Sequence, residues 1–411
     1  MRADVAAPTP LLAPAAIRAV DVDAVEDVAL TRDGEPYRTA MLVATREGRP
    51  LGTVTMAAVP GAGLLRAESV RGALGPLLAG SPAPGDQPAP DPEGESAISV
   101  VVTTCACAAA VCETVASVLA CRPAVSEVIV VENRPIQSGV RAALAQAFGD
   151  DPRVRYVEET RQGLSWARNA GLAAARGELI AFTDDDVLVS RGWAGWLRAA
   201  FDAEPAAACV TGLIMPAELE TPSQVLLEQY AGFGKGFTRR VFRADEPTSP
   251  LFPYAAGEFG SGANTAMRVP AARALGGFDT ALGAGTVACG AEDLDLFVRV
   301  LLAGHAIVYE PAAMLWHRHP DTAPRLRSEV FRYGLGLSAV LTKFVLTGHA
   351  RAIAGRALAG LRFLRDPDSR KNERKTAEYP RGLDRWEYAG MLVGPFAYLR
   401  SRRGARRLAR A

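Results

Sequence analysis

Gly177-Glu178-Leu179-Ile180-Ala181-Phe182-Thr183-Asp184-Asp185-Asp186-Val187 is the stretch that decides how this chain folds. Leu179 to Phe182 is a short apolar run bounded by Gly and Asp, the pattern of a buried strand in a parallel sheet. Three carboxylates follow it without a break. Like charges this close repel one another, and a hard divalent cation that prefers oxygen ligands, Mn²⁺ or Mg²⁺, removes the repulsion. In open α/β sheets ligands bind outside the carboxyl ends of the strands, which is where this cluster falls. Asp also favours exposed turns and helix N-caps, so on this stretch alone an acidic turn stands beside a metal site.

The flanking residues supply the rest of the sheet. Ile98 to Thr104 is a β-branched strand, and an apolar helical stretch follows from Ala108 to Leu119. Val125 to Val131 is a second strand ending at Glu132-Asn133. Ser138 to Phe148 reads as a helix, Val154 to Val157 as a third strand and Leu164 to Ala175 as a helix. Strand–helix alternation over short connections means βαβ units with right-handed crossovers, a doubly wound arrangement. Thr103, Thr104, Glu132 and Asn133 then end neighbouring strands and face one crevice, a place for a nucleotide. Downstream, Glu292 to Ala303 is an amphipathic helix opening on two carboxylates, Ala306 to Tyr309 is a strand, and Trp316-His317-Arg318-His319 holds two of the four histidines.

With 411 residues the chain is long enough for two or three domains. Its net charge of +1 argues against a dedicated nucleic-acid binder. The balance is uneven, because residues 351–411 hold 16 Lys+Arg against 6 Asp+Glu. No uncharged apolar run reaches the ~18 residues of an ordinary membrane span. Arg2 and Asp4 with no apolar core after them give no expectation of a secretory signal. Cysteines at 105, 107, 112, 121, 209 and 289 lack the paired spacing of a structural zinc site, and buried free thiols in a reducing cytoplasm are expected.

Four segments follow. Residues 1–80 form a β-rich accessory domain: 1–16 are Ala/Pro-rich and poorly ordered, Arg38–Thr45 and Leu51–Val59 are hairpin strands around a loop at Arg46–Pro50, and Glu68 to Leu78 is a short helix. Residues 81–96 are a linker, within a 17-residue stretch from Gly80 that carries five prolines and three glycines. Residues 97–322 hold the α/β sheet. Residues 323–411 are a helical, basic extension in which Ser328 to Leu346 and Tyr388 to Leu399 are apolar on a helical period, ahead of the Arg-rich end Arg400 to Arg410. Basic amphipathic segments suit an anionic membrane surface, and a solvated tail has the same composition.

Strand-Thr103-Thr104, strand-Glu132-Asn133, Gln162-Gly163-Leu164-Ser165-Trp166-Ala167-Arg168-Asn169-Ala170-Gly171 and the Asp184 stretch come in a telling order. Gly260 to Arg268, Leu275-Gly276-Gly277-Phe278-Asp279, Gly290-Ala291-Glu292-Asp293-Leu294-Asp295-Leu296, Tyr309-Glu310-Pro311 and Trp316 to His319 continue it. Over residues 97–322 this series resembles family 2 of the inverting nucleotide-sugar glycosyltransferases. The resemblance implies a GT-A fold, a doubly wound mixed sheet, with Mn²⁺ or Mg²⁺. It implies transfer of a sugar from a nucleoside diphosphate sugar to a hydroxyl of a carbohydrate or lipid-linked acceptor, in cell-envelope polysaccharide or glycolipid synthesis. The free cysteines and the lack of a signal point to the cytoplasm, and the balanced charge leaves nucleic acid out. The basic extension makes an anionic membrane surface, peripheral on the inner face, one partner to test against a solvated tail.

By that resemblance Asp186 and Asp184 bind metal, Asp185 contacts ribose or donor sugar, and His317 is the third ligand with His319 as its competitor. Thr103, Thr104, Glu132, Gly163, Arg168, Asn264 and Glu292 border the nucleotide sugar, although the family usually has Asp where Glu132 stands. Arg168 either reaches phosphate or forms an ion pair on an exposed helix face. Asp293 matches the family's base, placed opposite the leaving diphosphate, while Asp295 points elsewhere on the helix and caps or pairs. Gln229 to Pro253, with Gly232, Gly234, Gly236, Lys235, Arg239 and Arg240, is a lid over the donor or an insertion loop. A nucleotidyltransferase would want a Gly-rich basic loop after the first strand, which Thr103-Thr104-Cys105-Ala106-Cys107 is not. A binding scaffold without turnover is the non-enzymatic alternative.

Overall fold

The computed structural model describes residues 11–410, except 59–62, 81–89, 92, 95, 106, 134–137, 231, 370, 377–378 and 381. Most of the expected linker and the first ten residues lie outside the described residues.

A nine-stranded mixed sheet organises the chain. Across it run Val154–Glu159, Glu127–Asn133, Ile98–Thr104, Leu179–Asp184, Thr265–Arg268, Ala207–Pro216, Ala306–His317 and Val187–Val189, with Arg240–Phe242 pairing alongside Ala306–His317. The first four are mutually parallel. Thr265–Arg268 runs antiparallel to both neighbours, and Ala207–Pro216 is parallel to Ala306–His317. Ile98–Thr104 and Ala207–Pro216 are buried along their whole length, as central strands covered on both faces must be. Alternate residues serve two cores: Val101, Ile129, Val131 and Phe182 pack on one face, and Val100, Val102, Val128 and Val130 on the other. Helices Ala108–Leu119, Val140–Phe148 and Leu164–Ala174 supply the crossovers. The α/β mixed sheet is therefore present as expected. Ala306–His317 is much longer than the strand expected at Ala306–Tyr309: it passes through Pro311 and ends on the histidine.

The N-terminal module is a three-stranded sheet in which Ala15–Asp21 lies parallel to Thr39–Arg46, itself hairpinned to Arg49–Ala57. Its turn is shorter than expected. Glu47 and Gly48 have φ of 50° and 76°, the left-handed pair that matches strand twist in a two-residue hairpin. Helix Ala67–Gly80 covers the sheet. The module is docked on the large sheet: Arg32 pairs with Glu220 at 2.8 Å, Ala15 bridges to Leu219, and the Arg49 guanidinium lies 4.2 Å over the Trp196 ring. Ala15–Asp21 thus gives a paired strand to a segment expected to be partly disordered.

Three helices close the chain, Ala323–Phe344, Ala350–Arg365 and Asp384–Leu408. Gly348, at φ 102°, ends the first and starts the second on a new course. The first and third pack in parallel through small residues, since a Cβ on Gly334 would strike the backbone of Glu387, and one on Gly390 that of Phe331. Ala323–Arg365 is long and apolar enough to cross a membrane by length and composition, with 39% of its most apolar window buried within the protein. Of the cysteines only Cys121 and Cys209 are buried. Cys105 and Cys107 are exposed, which corrects the expectation of buried thiols.

Candidate functional site

Sheet register brings the expected residues to one edge. Asp184 pairs with Thr103, Thr104 with Glu132, and Val187 with His317. The Leu179 strand runs through Asp184 before Asp185 and Asp186 turn away from it. The amide of Arg318 donates to the Asp186 carbonyl at 3.1 Å and ties the histidine segment to this turn.

Each carboxylate has a different environment. Asp184 Oδ1 accepts from Arg168 at 3.0 Å. Asp185 accepts from the Thr104 hydroxyl, and burial, helped by its two acidic neighbours, pushes its carboxyl up to about 6. Asp186 Oδ1 stands 3.5 Å from His317 Nε2 and has no hydrogen-bond partner. Burial raises the Asp186 pKa while His317 acts against that rise. The far ring nitrogen of His317 is also buried and unpartnered. His319 is differently committed: its Nε2 lies 2.7 Å from Glu228 Oε1, and its side chain is fully buried. Phe233 packs on both rings, with centroids 5.1 and 5.7 Å away. Among the described residues no group of three His, Cys, Asp or Glu side chains converges as a ready-made cation cage. The fit is a partial shell: a hard oxygen and an imidazole nitrogen, suited to Mn²⁺ or Mg²⁺, with Asp184 adjacent.

Arg168 corrects both sequence readings. It is neither on an exposed helix face nor free to reach a phosphate, because its side chain is 1% exposed and bridges Asp184 to Glu292, at 2.8 Å from the latter. Glu292 is buried too, and that burial raises its carboxyl pKa against the pull of Arg168. Its carboxylate is held by a protein cation, so it has an internal partner where donor contact was expected.

Asp293 lies in the first turn of helix Glu292–Leu302, which follows Ala291 at φ 65°. Asp293 Oδ2 accepts from the Gly262 amide at 2.7 Å. Gly262 has no room for a side chain, as a Cβ there would fall 2.6 Å from Arg168 and 2.9 Å from the Asp293 Cβ. Asp295 turns inward, fully buried, to Arg299 and to Lys343 of the first closing helix at 2.6 Å. It pairs, as its place on the helix implied.

At the nucleotide end, Glu132 is buried and accepts from Ser138 and from Tyr156. The Thr103 hydroxyl is buried without a partner. Gly163, at φ 137°, caps helix Leu164–Ala174 and donates its amide to Asn133 Oδ1 at 2.8 Å. Asn264 does not line the crevice. Its amide donates to the carbonyls of Leu213 and Ala313 and accepts from Trp193, and the side chain is fully buried. The segment read as a lid or an insertion loop is partly anchored: Arg240–Phe242 joins the sheet, and Tyr309 Oη donates to the Gly236 carbonyl at 2.7 Å.

Sequence reasoning missed Glu228, Phe233 and Tyr333, and named Lys235 only as part of a loop. Burial and Arg374 bring the Lys235 ammonium down to about 8, and the charge of Asp293 acts on both Lys235 and Tyr333. Nothing local marks these residues, since Glu228 and its partner His319 are 91 positions apart.

Residues 99–273 match the family model described as Glycosyl transferase family 2. A pre-mycofactocin glycosyltransferase of Mycobacterium tuberculosis is 30% identical over 158 residues, which cover 38% of this chain and 30% of that protein. The succinoglycan biosynthesis protein ExoM of Rhizobium meliloti is 28% identical over 202 residues, 48% of this chain and 59% of its own. The chain thus spans less than two thirds of each relative's length. Among solved structures, the mannosyltransferase PcManGT of Pyrobaculum calidifontis, in complex with GDP-Man and Mn2+, is similar with a TM-score of 0.45 and 21% identity over 80% of this chain and 79% of that one. With the Asp184–Asp186 run inside the matched segment, residues 99–273 are a glycosyltransferase family 2 domain.

Proposed function

We propose that the chain is a metal-dependent inverting glycosyltransferase that moves a sugar from a nucleoside diphosphate sugar to an acceptor hydroxyl. The observation that carries this is the approach of Asp186 Oδ1 to His317 Nε2, with that oxygen left unpartnered beside Asp184. Asp186 and His317 are the holders of the cation, and Asp184, shared with Arg168, is the third candidate. When bound, a divalent cation offsets the negative charge gathering on the departing diphosphate. Arg168 fixes Asp184 and Glu292 in place. Asp293, held by the Gly262 amide, takes the proton of the acceptor hydroxyl as that oxygen attacks. Thr103, Thr104, Asp185 and Glu132 border the nucleotide, and Gly163 lets the backbone pass close to it. The acceptor is a carbohydrate or a lipid-linked sugar, and cell-envelope polysaccharide or glycolipid synthesis on the inner membrane face is the setting in which such a chain works.

The test is thermal stabilisation by nucleoside diphosphate sugars with and without Mn²⁺. A donor at 100 times its dissociation constant adds about 2.7 kcal/mol. Asp186→Ala and His317→Ala abolish the metal-dependent part, whereas His319→Ala keeps it and loses only the stability of the Glu228 pair. Unchanged donor affinity in Asp186→Ala would remove that residue from the metal shell, and the reverse order of the histidines would exchange their roles. Donor hydrolysis with Mn²⁺ separates an enzyme from a binding scaffold.

A further inference from the structure

Two of the closing helices leave apolar rows facing outward. On Asp384–Leu408, Tyr388, Leu392, Phe396 and Leu399 recur at helical spacing, and Leu392 and Phe396 are 77% and 75% exposed. The opposite side of the same helix, Gly390, Gly394, Ala397, Tyr398 and Ser401, is buried, so the row is unpartnered rather than misplaced core. Ala350–Arg365 repeats the design with Leu358 and Leu361, 60% and 50% exposed.

Arginines stand in line with these rows. Arg385 precedes and Arg403 follows the Phe396 row on the same helical face, while Arg351, Arg362 and Arg365 share the face of Leu358. Ala350–Arg365 contains no carboxylate. The two on the other helix are already engaged, Asp384 with Lys375 at 2.8 Å and Glu387 with Lys371. Asp366 and Asp368 follow the first helix, past its row. Asn372 Nδ2 donates to the Leu364 carbonyl at 3.3 Å and its neighbour Lys371 pairs with Glu387, so the end of one row is tied to the start of the other.

We propose that this pair of rows is a seat for an anionic lipid bilayer surface, with the leucines and Phe396 entering the interfacial layer and the arginines meeting lipid phosphates. Apolar residues bracketed by long cationic side chains suit a helix lying in the interface, because the arginine stems reach back to the headgroups. A second copy of the chain fits less well, as facing rows would bring like charges together. A membrane span fits less well too: Ala323–Phe344 spends its apolar side on the Asp384–Leu408 helix and the catalytic core, and Gly348 breaks the run. This inference does not depend on sugar transfer, so either can fail without the other.

The experiment is sedimentation of the full chain with vesicles of phosphatidylcholine alone or with roughly one quarter phosphatidylglycerol, at low and high salt. Binding to the anionic vesicles is expected, weakening as salt rises. Leu392→Glu with Phe396→Glu should lower partitioning by about tenfold or more while preserving the melting curve, both positions being exposed. Arg385→Glu with Arg403→Glu should abolish the preference for phosphatidylglycerol. Absence of binding at low salt, equal binding to neutral vesicles, or binding untouched by either variant would overturn the proposal. So would a concentration-dependent dimer that the Leu392/Phe396 variant dissolves.

Discussion

Replacing Arg168 by Met tests whether the site is built around a buried cation. In the folded chain Arg168 is 1% exposed and Glu292 7% exposed, whereas Asp184 keeps 29% of its side chain in solvent. Asp184 can therefore recover hydration when the guanidinium goes, and the cost falls on Glu292. Removing one partner of a buried pair costs about 3–5 kcal/mol, because the remaining charge is stranded. The cost depends on pH. A stranded, desolvated carboxyl has a folded pKa above its unfolded value, so it binds a proton on folding. The deficit of the variant is therefore smallest below the unfolded carboxylate pKa and grows as pH rises toward the folded one. Urea unfolding at pH 5 and pH 8 should show the larger loss at pH 8. Adding Glu292→Gln should return about 2 kcal/mol or more by removing the stranded charge. A loss below about 1 kcal/mol at pH 8, or no recovery in the double variant, would refute the reasoning.

Asp293→Asn keeps the shape and can still accept from the Gly262 amide but cannot take a proton, so turnover should fall by about 10²–10⁴ with donor affinity nearly unchanged. Asp295→Asn should act on stability rather than on the proton-transfer step, and normal transfer by Asp293→Asn would show that another group is the base. Lys343→Met leaves Asp295, fully buried, with Arg299 alone, and strands Asp279 at its other end. A stability loss toward the lower end of about 3–5 kcal/mol is expected in urea titrations, and a loss near zero would show that the cluster is not a tether.

What was legible in the chain is what repeats locally. The β-branched runs at Ile98 and Val128 and the apolar run at Leu179 each announce a buried strand, and their strand ends carry the side chains that register then aligns. Helix Trp193–Ala203 carries a plain helical period in Trp193, Trp196, Leu197, Ala200 and Phe201 that the reading passed over, whereas strand Ala207–Pro216, buried along its whole length, has no alternation to mark it. Arg168 was misread for a different reason. A helix position says that a side chain is polar, not which carboxylates 16 and 124 residues away will bury it. Asn264 shows the same limit: its partners come from Leu213, Ala313 and Trp193, which only the folded sheet gathers.

The extension beyond residue 323 cannot be treated as an appendage. The family match ends at 273, yet Glu292, Asp293 and His317 all lie past it. Helix Glu292–Leu302, which carries the first two, is held from both ends of the chain. Arg168 grips Glu292 from the parallel half of the sheet, and Lys343 grips Asp279 and Asp295 from the first closing helix. Gly336 of that helix also packs against Ala291, whose left-handed φ of 65° aims the turn into Glu292, and a Cβ on Gly336 would press within 3.2 Å of the Ala291 Cβ. Cutting the chain at 323 would therefore release the helix that carries Asp293, and lost vesicle binding in such a truncation would report unfolding as readily as lost contact. Point changes on the outward rows avoid this, because those side chains are exposed and lie away from helix Glu292–Leu302. The same geometry gives the extension two sides with separate duties. Its inner side, through Gly336 and Lys343, positions the proposed base, and its outer side carries the apolar rows proposed to meet the bilayer.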